Sequence, residues 1–150
     1  MKRILLISLI FSSISLSAQN KIESILNKDF TVIQIEGIDQ HSEFRTFDLE
    51  SINSLKNPLF IKIRKYAGSE DFDYSLSTKI VNGAGIFFNL NGDKIESSAA
   101  GPYTKVGGPK KLIDFEIFLR NLLARLEKIE INDEFIVFSN TGKEKIIIKK

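Results

Sequence analysis

No cysteine occurs in the 150 residues of this chain. The protein therefore has no disulfide brace, no thiolate ligand for a metal, no cysteine nucleophile and no cysteine to carry a lipid. Tryptophan is absent too, and histidine occurs once, as His41. A multi-histidine metal site is excluded, and any histidine-based acid–base mechanism has one residue to use. With three prolines and nine glycines, no Pro/Gly/Ser-rich stretch divides the chain, which reads as a single domain without internal repeats. Long apolar runs are also missing. The longest, Ile4 to Leu16, is shorter than the roughly 20 residues a membrane-spanning helix needs and ends in serines.

That short run has another reading. Lys2 and Arg3 precede it, and the small residues Ser17 and Ala18 close it, the pattern of a secretory signal peptide with cleavage after Ala18. Residues 1–18 are expected to be a leader, and 19–150 a single exported domain, periplasmic or extracellular. The leader holds two of the 21 basic residues and none of the 19 acidic ones, so the +2 net charge resides in it. A balanced mature chain has no global field to gather it onto nucleic acid or anionic lipid. No nucleic-acid partner, cofactor or permanent membrane anchor is expected.

Downstream, apolar residues recur with period two. Thr31 to Glu36 is rich in β-branched residues and stops at Gly37. Glu43 to Leu49 alternates loosely, and Leu59, Ile61 and Ile63 alternate with Lys62 and Arg64. Tyr74, Leu76, Thr78 and Ile80 follow, then Ile86 to Leu90 and Lys94 to Ser98 across an Asn91-Gly92 turn of type I′. Ile22, Ile25 and Leu26 have helical spacing. From Pro109 to Ile129, Leu112, Phe115, Phe118, Leu119, Leu122, Leu123, Leu126 and Ile129 fall on one face of a long helix. Ile131 to Phe138 and Lys145 to Ile148 then predict a hairpin, apolar on both faces and so covered on both. The expected fold class is α+β: an antiparallel, curved β-meander packed against one long helix, with a C-terminal β-hairpin.

Chemistry-bearing motifs are sparse. His41 lies in a polar turn, and no serine near it has the setting of a nucleophile elbow. Glu70, Asp71 and Asp73 could gather carboxylate oxygens around a hard cation, but they lack the spacing and glycine of a calcium loop. Lys105, Gly107, Gly108, Lys110 and Lys111 surround the start of the long helix, where free N–H groups and the positive dipole end suit an anion; an ordinary strand-to-helix connection is the alternative. Ile113, Ile117 and Ala124 form a second apolar stripe on that helix, a candidate surface for a protein partner or homodimer unless a loop covers it. Phe44, Phe47, Phe60, Phe72, Phe87, Phe88, Phe135 and Phe138 could line an apolar cavity or fill the core. The expected function is an exported, non-enzymatic binding or protein-interaction domain. A small apolar-ligand carrier is the alternative, and an envelope or extracellular hydrolase a third.

Overall fold

In the computed structural model, residues 21–56, 58–101 and 107–150 are described. The expected leader, and Lys105 of the anion loop, lie outside them. Among the described residues nine strands, all paired antiparallel, and helices α1 and α2 follow in the order β1 (Asp29–Ile38), β2 (Phe44–Asp48), α1 (Leu49–Leu55), β3 (Phe60–Lys65), β4 (Tyr74–Thr78), β5 (Ala84–Asn91), β6 (Lys94–Ala100), α2 (Lys110–Leu123), β7 (Lys128–Ile131), β8 (Phe135–Ser139) and β9 (Lys145–Lys149).

The meander closes on itself. One edge of β1 pairs with β9, while the other is shared by β3 at the start of the strand and β2 at its end. A ring therefore runs from β1 through β3 to β9 and back, with β2 as a branch. Closure satisfies the backbone groups that an open sheet would leave along its edges. The joint between β6 and β7 is narrow: Lys94 opposes Lys128, and the Ile95 and Ile129 N–H groups donate to the Glu127 and Asp93 carbonyls. Helix α2 spans the connection between these two strands.

Alternation supplies the interior. Ile61 and Ile63, Leu76, Ile86 and Phe88, Ile136 and Phe138, and Ile146 and Ile148 are fully buried. In β1 the rhythm skips: Val32 and Ile35 are both buried although three apart, and the β1–β9 register shifts between Val32 and Gln34. One extra residue in a β-bulge keeps both side chains inside. The strand does not stop at Gly37, as expected, but runs through it. A Cβ there would stand 3.2 Å from Leu122 Cδ1 and 3.3 Å from Phe118 Cε2, so the missing side chain is what lets α2 lie against β1.

Four expectations are corrected. The long helix from Pro109 to Ile129 is a 14-residue helix ending at Leu123. Beyond it, Arg125 and Leu126 N–H groups turn back onto Leu122 and Leu123 carbonyls, and Ile129 joins β7, whose ladder with β8 competes successfully with another helical turn. The C-terminal hairpin is accordingly a three-strand meander, with Ile131 in β7 rather than β8. Its strands are fully buried on one face only: Phe135, Val137 and Ile147 are half-buried because, among the described residues, no second layer covers the outside of the ring. At the β5–β6 turn the central residues are Gly92 and Asp93, and only the glycine has positive φ, at 65°, which departs from the type I′ pattern. Helix α1 was not foreseen. Asp48 caps it, its carboxylate accepting from the Ser51 N–H at 2.8 Å, and Ile52 anchors it in the core.

The β8–β9 turn carries its positive φ, 68°, on Lys143 rather than on Gly142. A left-handed conformation costs an L-residue about 1–2 kcal/mol, and glycine escapes most of that cost. Lys143→Gly is expected to stabilise the fold by about 0.5–1 kcal/mol, read as a higher urea midpoint with an unchanged slope. A lower midpoint would show that the turn is not strained.

Candidate ligand-binding cleft

Where β1 ends, the chain turns back through Asp39, Gln40 and His41 into β2. The turn is built by one carboxylate. Asp39 Oδ1 accepts the backbone N–H groups of His41 at 2.8 Å and Glu43 at 3.0 Å, and Oδ2 accepts Arg45 Nε at 2.9 Å. Arg45, followed by the Glu43 N–H, holds the Asp39 carboxyl down to about 2, and Asp39 raises Arg45 in return. Asp39 is thus a fixed anion at neutral pH. With its lone pairs engaged it is a poor general base.

Phe47, two residues on from Arg45 and on the same face of β2, points toward α2. There Lys111, Asp114, Phe115 and Phe118 recur at intervals of three and four, the spacing of a single helix face. Phe47 meets Phe115 edge-on at 5.1 Å between ring centroids and Phe118 at 5.4 Å. These three rings, with Leu55 from the end of α1, form the floor of a cleft of about 250 Å³, and Asp39, Gln40, His41, Arg45, Lys111 and Asp114 form its rim.

Charge on the rim is unevenly compensated. Asp39 and Arg45 neutralise each other, Glu43 also pairs with Arg45, and Asp114 is bound by Lys110 at 2.5 Å. Lys111 makes no ion pair among the described residues, and helix α2 has no acidic residue in its first turn. Lys111 is therefore the rim cation without an ion-pair partner above an aromatic floor, while Arg45, shared by Asp39 and Glu43, leaves one negative charge in excess at the β1–β2 turn.

Of the residues proposed for an anion site, Lys111 reaches this cleft, Lys110 is engaged by Asp114, and Gly107 and Gly108 are exposed at the helix entrance. In the second helical stripe Ile113 and Ile117 are half-buried and Ala124 is exposed, with Gly108 set between Val81 and Ile113. The eight phenylalanines considered for one cavity are dispersed. Phe88 and Phe138 fill the core, Phe44 and Phe60 are exposed, and Phe72 and Phe87 stack on the outside. Only Phe47 lines the cleft. Its partners Phe115 and Phe118 read from the sequence as ordinary core residues, and only the return of β2 beside the helix marks them otherwise.

His41 lies on the rim with its ring 3.4 Å from Gln40 Nε2, and among the described residues no serine or carboxylate oxygen hydrogen-bonds its ring. The acidic loop at 70–73 is tied down through its backbone, Asn89 accepting from the Asp73 N–H and donating to the Asp71 carbonyl. Among the described residues no three His, Asp or Glu side chains gather as metal ligands, and no helix is long and apolar enough to cross a membrane. No protein-family model, curated protein or solved structure matches the chain, so the cleft is interpreted from its own residues.

Proposed function

We propose that the protein is an exported, non-enzymatic binding protein whose cleft takes a small amphipathic anion. The observation that carries this reading is the placing of Phe47, Phe115 and Phe118 on the floor with Lys111, which has no ion-pair partner among the described residues, on the rim. Rings supply area for an apolar body, and a lysine beside a low-dielectric wall attracts a carboxylate more strongly than one in open water. At about 250 Å³ the space falls just below the roughly 300–1,000 Å³ of drug-sized ligand sites. An aromatic or short-chain acid fits that scale better than a lipid. The sequence pattern of residues 1–18 supports export.

Calorimetry with phenylacetate, hexanoate and the matching neutral amides tests the reading. The acids are expected to bind and the amides to bind about tenfold more weakly. Lys111→Glu, an exposed change, should cost about tenfold in affinity for the acids while leaving the amides unaffected. Equal affinity for acid and amide, or acid binding insensitive to Lys111→Glu, would rule the proposal out.

A further inference from the structure

The outer face of the sheet carries a second feature, at the other end of β1 from the cleft. Lys62 and Arg64 alternate with the buried Ile61 and Ile63, so both point outward from β3. Their cross-strand partners on β4 are Ser77 and Ser75. Sheets commonly oppose a cation with an anion at such positions; here two hydroxyls stand instead. Lys56 and Lys79 flank the same face. Lys62 is bound to Asp29 at 3.0 Å, but Lys56, Arg64 and Lys79 make no ion pair among the described residues. In a molecule whose charges nearly cancel, this is a local concentration of unpaired cations.

The surface between them is recessed. A hollow of about 460 Å³ runs from Lys56 and Phe60 to Arg64, and one of about 360 Å³ continues past Tyr66 and Phe87 to Gly101. Arg64, Ser77 and Thr78 line both, so the two form one trough. Serines and glycines make its floor. Along β3 alone, six residues at about 3.4 Å each give a length of about 20 Å. Aromatic rings stand at both ends: Phe60 is 43% exposed, and Tyr66 lies against Phe87 with centroids 4.3 Å apart and planes tilted by 31°.

We propose that this trough binds an acidic polysaccharide in extended form. Its length asks for a chain rather than a single anion. Cations interspersed with hydroxyls match a polymer that carries one carboxylate among several hydroxyls per unit, and the rings offer flat apolar faces for sugar C–H groups. A polynucleotide, with a phosphate at every step, would call for a denser row of lysines and arginines and an overall basic domain. The proposal is independent of the cleft.

The test is calorimetry of the protein with oligogalacturonates of two to eight sugars, neutral dextran oligomers of the same lengths, and a single-stranded oligonucleotide, at low and moderate salt. Affinity should rise with length up to about four to five sugars, the span of the trough, and fall with salt. Dextran should bind at least about tenfold more weakly. Arg64→Glu with Lys79→Glu should cost about 30-fold, Tyr66→Ala should cost about fivefold, and Lys94→Glu, elsewhere on the surface, should change nothing. Circular dichroism confirms that each variant is folded. Absence of oligogalacturonate binding below millimolar concentration, equal binding of dextran, tighter binding of the oligonucleotide, or indifference to the double charge reversal would each overturn the proposal.

Discussion

Wild-type protein and Glu144→Gln are expected to differ by about 3 kcal/mol in stability at pH 7 and to converge near pH 2. Glu144 is 3% exposed, and its carboxylate accepts four donors: Arg125 Nε at 2.9 Å, Arg125 Nη2 at 2.6 Å, Asn140 Nδ2 at 2.6 Å and the Ile38 N–H at 2.8 Å. Arg125 Nη2 also reaches the Ile38 carbonyl. One side chain thus ties the end of β1, the exit of α2 and the β8–β9 turn together. Arg125 above all, helped by the Ile38 and Asn140 donors, holds the Glu144 carboxyl down from 4.5 to about 2 against the opposing effect of burial.

Because the folded value lies below the unfolded one, the unfolded chain takes up the proton first as pH falls. The contribution is complete above about pH 5 and is lost between there and pH 2. Asp39 is held near 2 as well, but it is present in both proteins, so the difference between their curves isolates Glu144. Thermal unfolding from pH 2 to 7 measures it, with an expected gap of about 10 °C at neutral pH. Parallel curves across that range would mean that the ion pair contributes nothing to folding.

Glu116→Ala is expected to destabilise the protein by about 3 kcal/mol or more. Glu116 lies on α2 and is completely buried. Its Oε2 accepts the N–H groups of Val81 at 2.9 Å and Asn82 at 2.8 Å, and Oε1 accepts Asn82 Nδ2 at 2.8 Å. Removing the carboxylate takes the acceptor from two backbone donors of the half-buried β4–β5 loop, at about 1–3 kcal/mol each. Glu116→Gln should fall between: it keeps one carbonyl oxygen as acceptor but turns an NH2 group toward remaining donors. Chemical denaturation gives the order wild type, Gln, Ala. An alanine variant within about 0.5 kcal/mol of wild type would show that the loop repacks or hydrates freely.

Neither carboxylate can be recognised from the chain alone. Glu116 sits between Phe115 and Ile117, and Glu144 sits in a charged turn between Lys143 and Lys145, where solvated charges are the normal expectation. Burial of each depends on partners distant in sequence: residues 81–82 for Glu116, Ile38 and Arg125 for Glu144. The cleft was legible only in fragments. Lys111 stood out by its place at the helix entrance and His41 by its singularity, yet nothing in the order of residues brings Phe47 of β2 onto Phe115 and Phe118 of α2. The trough was more nearly readable, since the alternation of Lys62 and Arg64 with isoleucines already puts both cations on one face. What the sequence withheld was that β4 answers them with serines.

Period-two alternation, turn residues and β-branched runs are local properties, and by themselves they determined the antiparallel meander, most of its strand positions and the residues of its interior. The helical face from Leu112 to Leu126 likewise named its core residues. Long-range pairing was decided only by the tertiary structure. Val32 to Glu36 alone does not disclose that its edge will be taken by β9, nor that this pairing closes a ring and needs a bulge. The helix periodicity continued to Ile129, but the ladder between β7 and β8 claimed its last turn. Alternation fixes which way a side chain faces; closure of the sheet decides what it meets there, and the cleft, the trough and both buried carboxylates are products of those meetings.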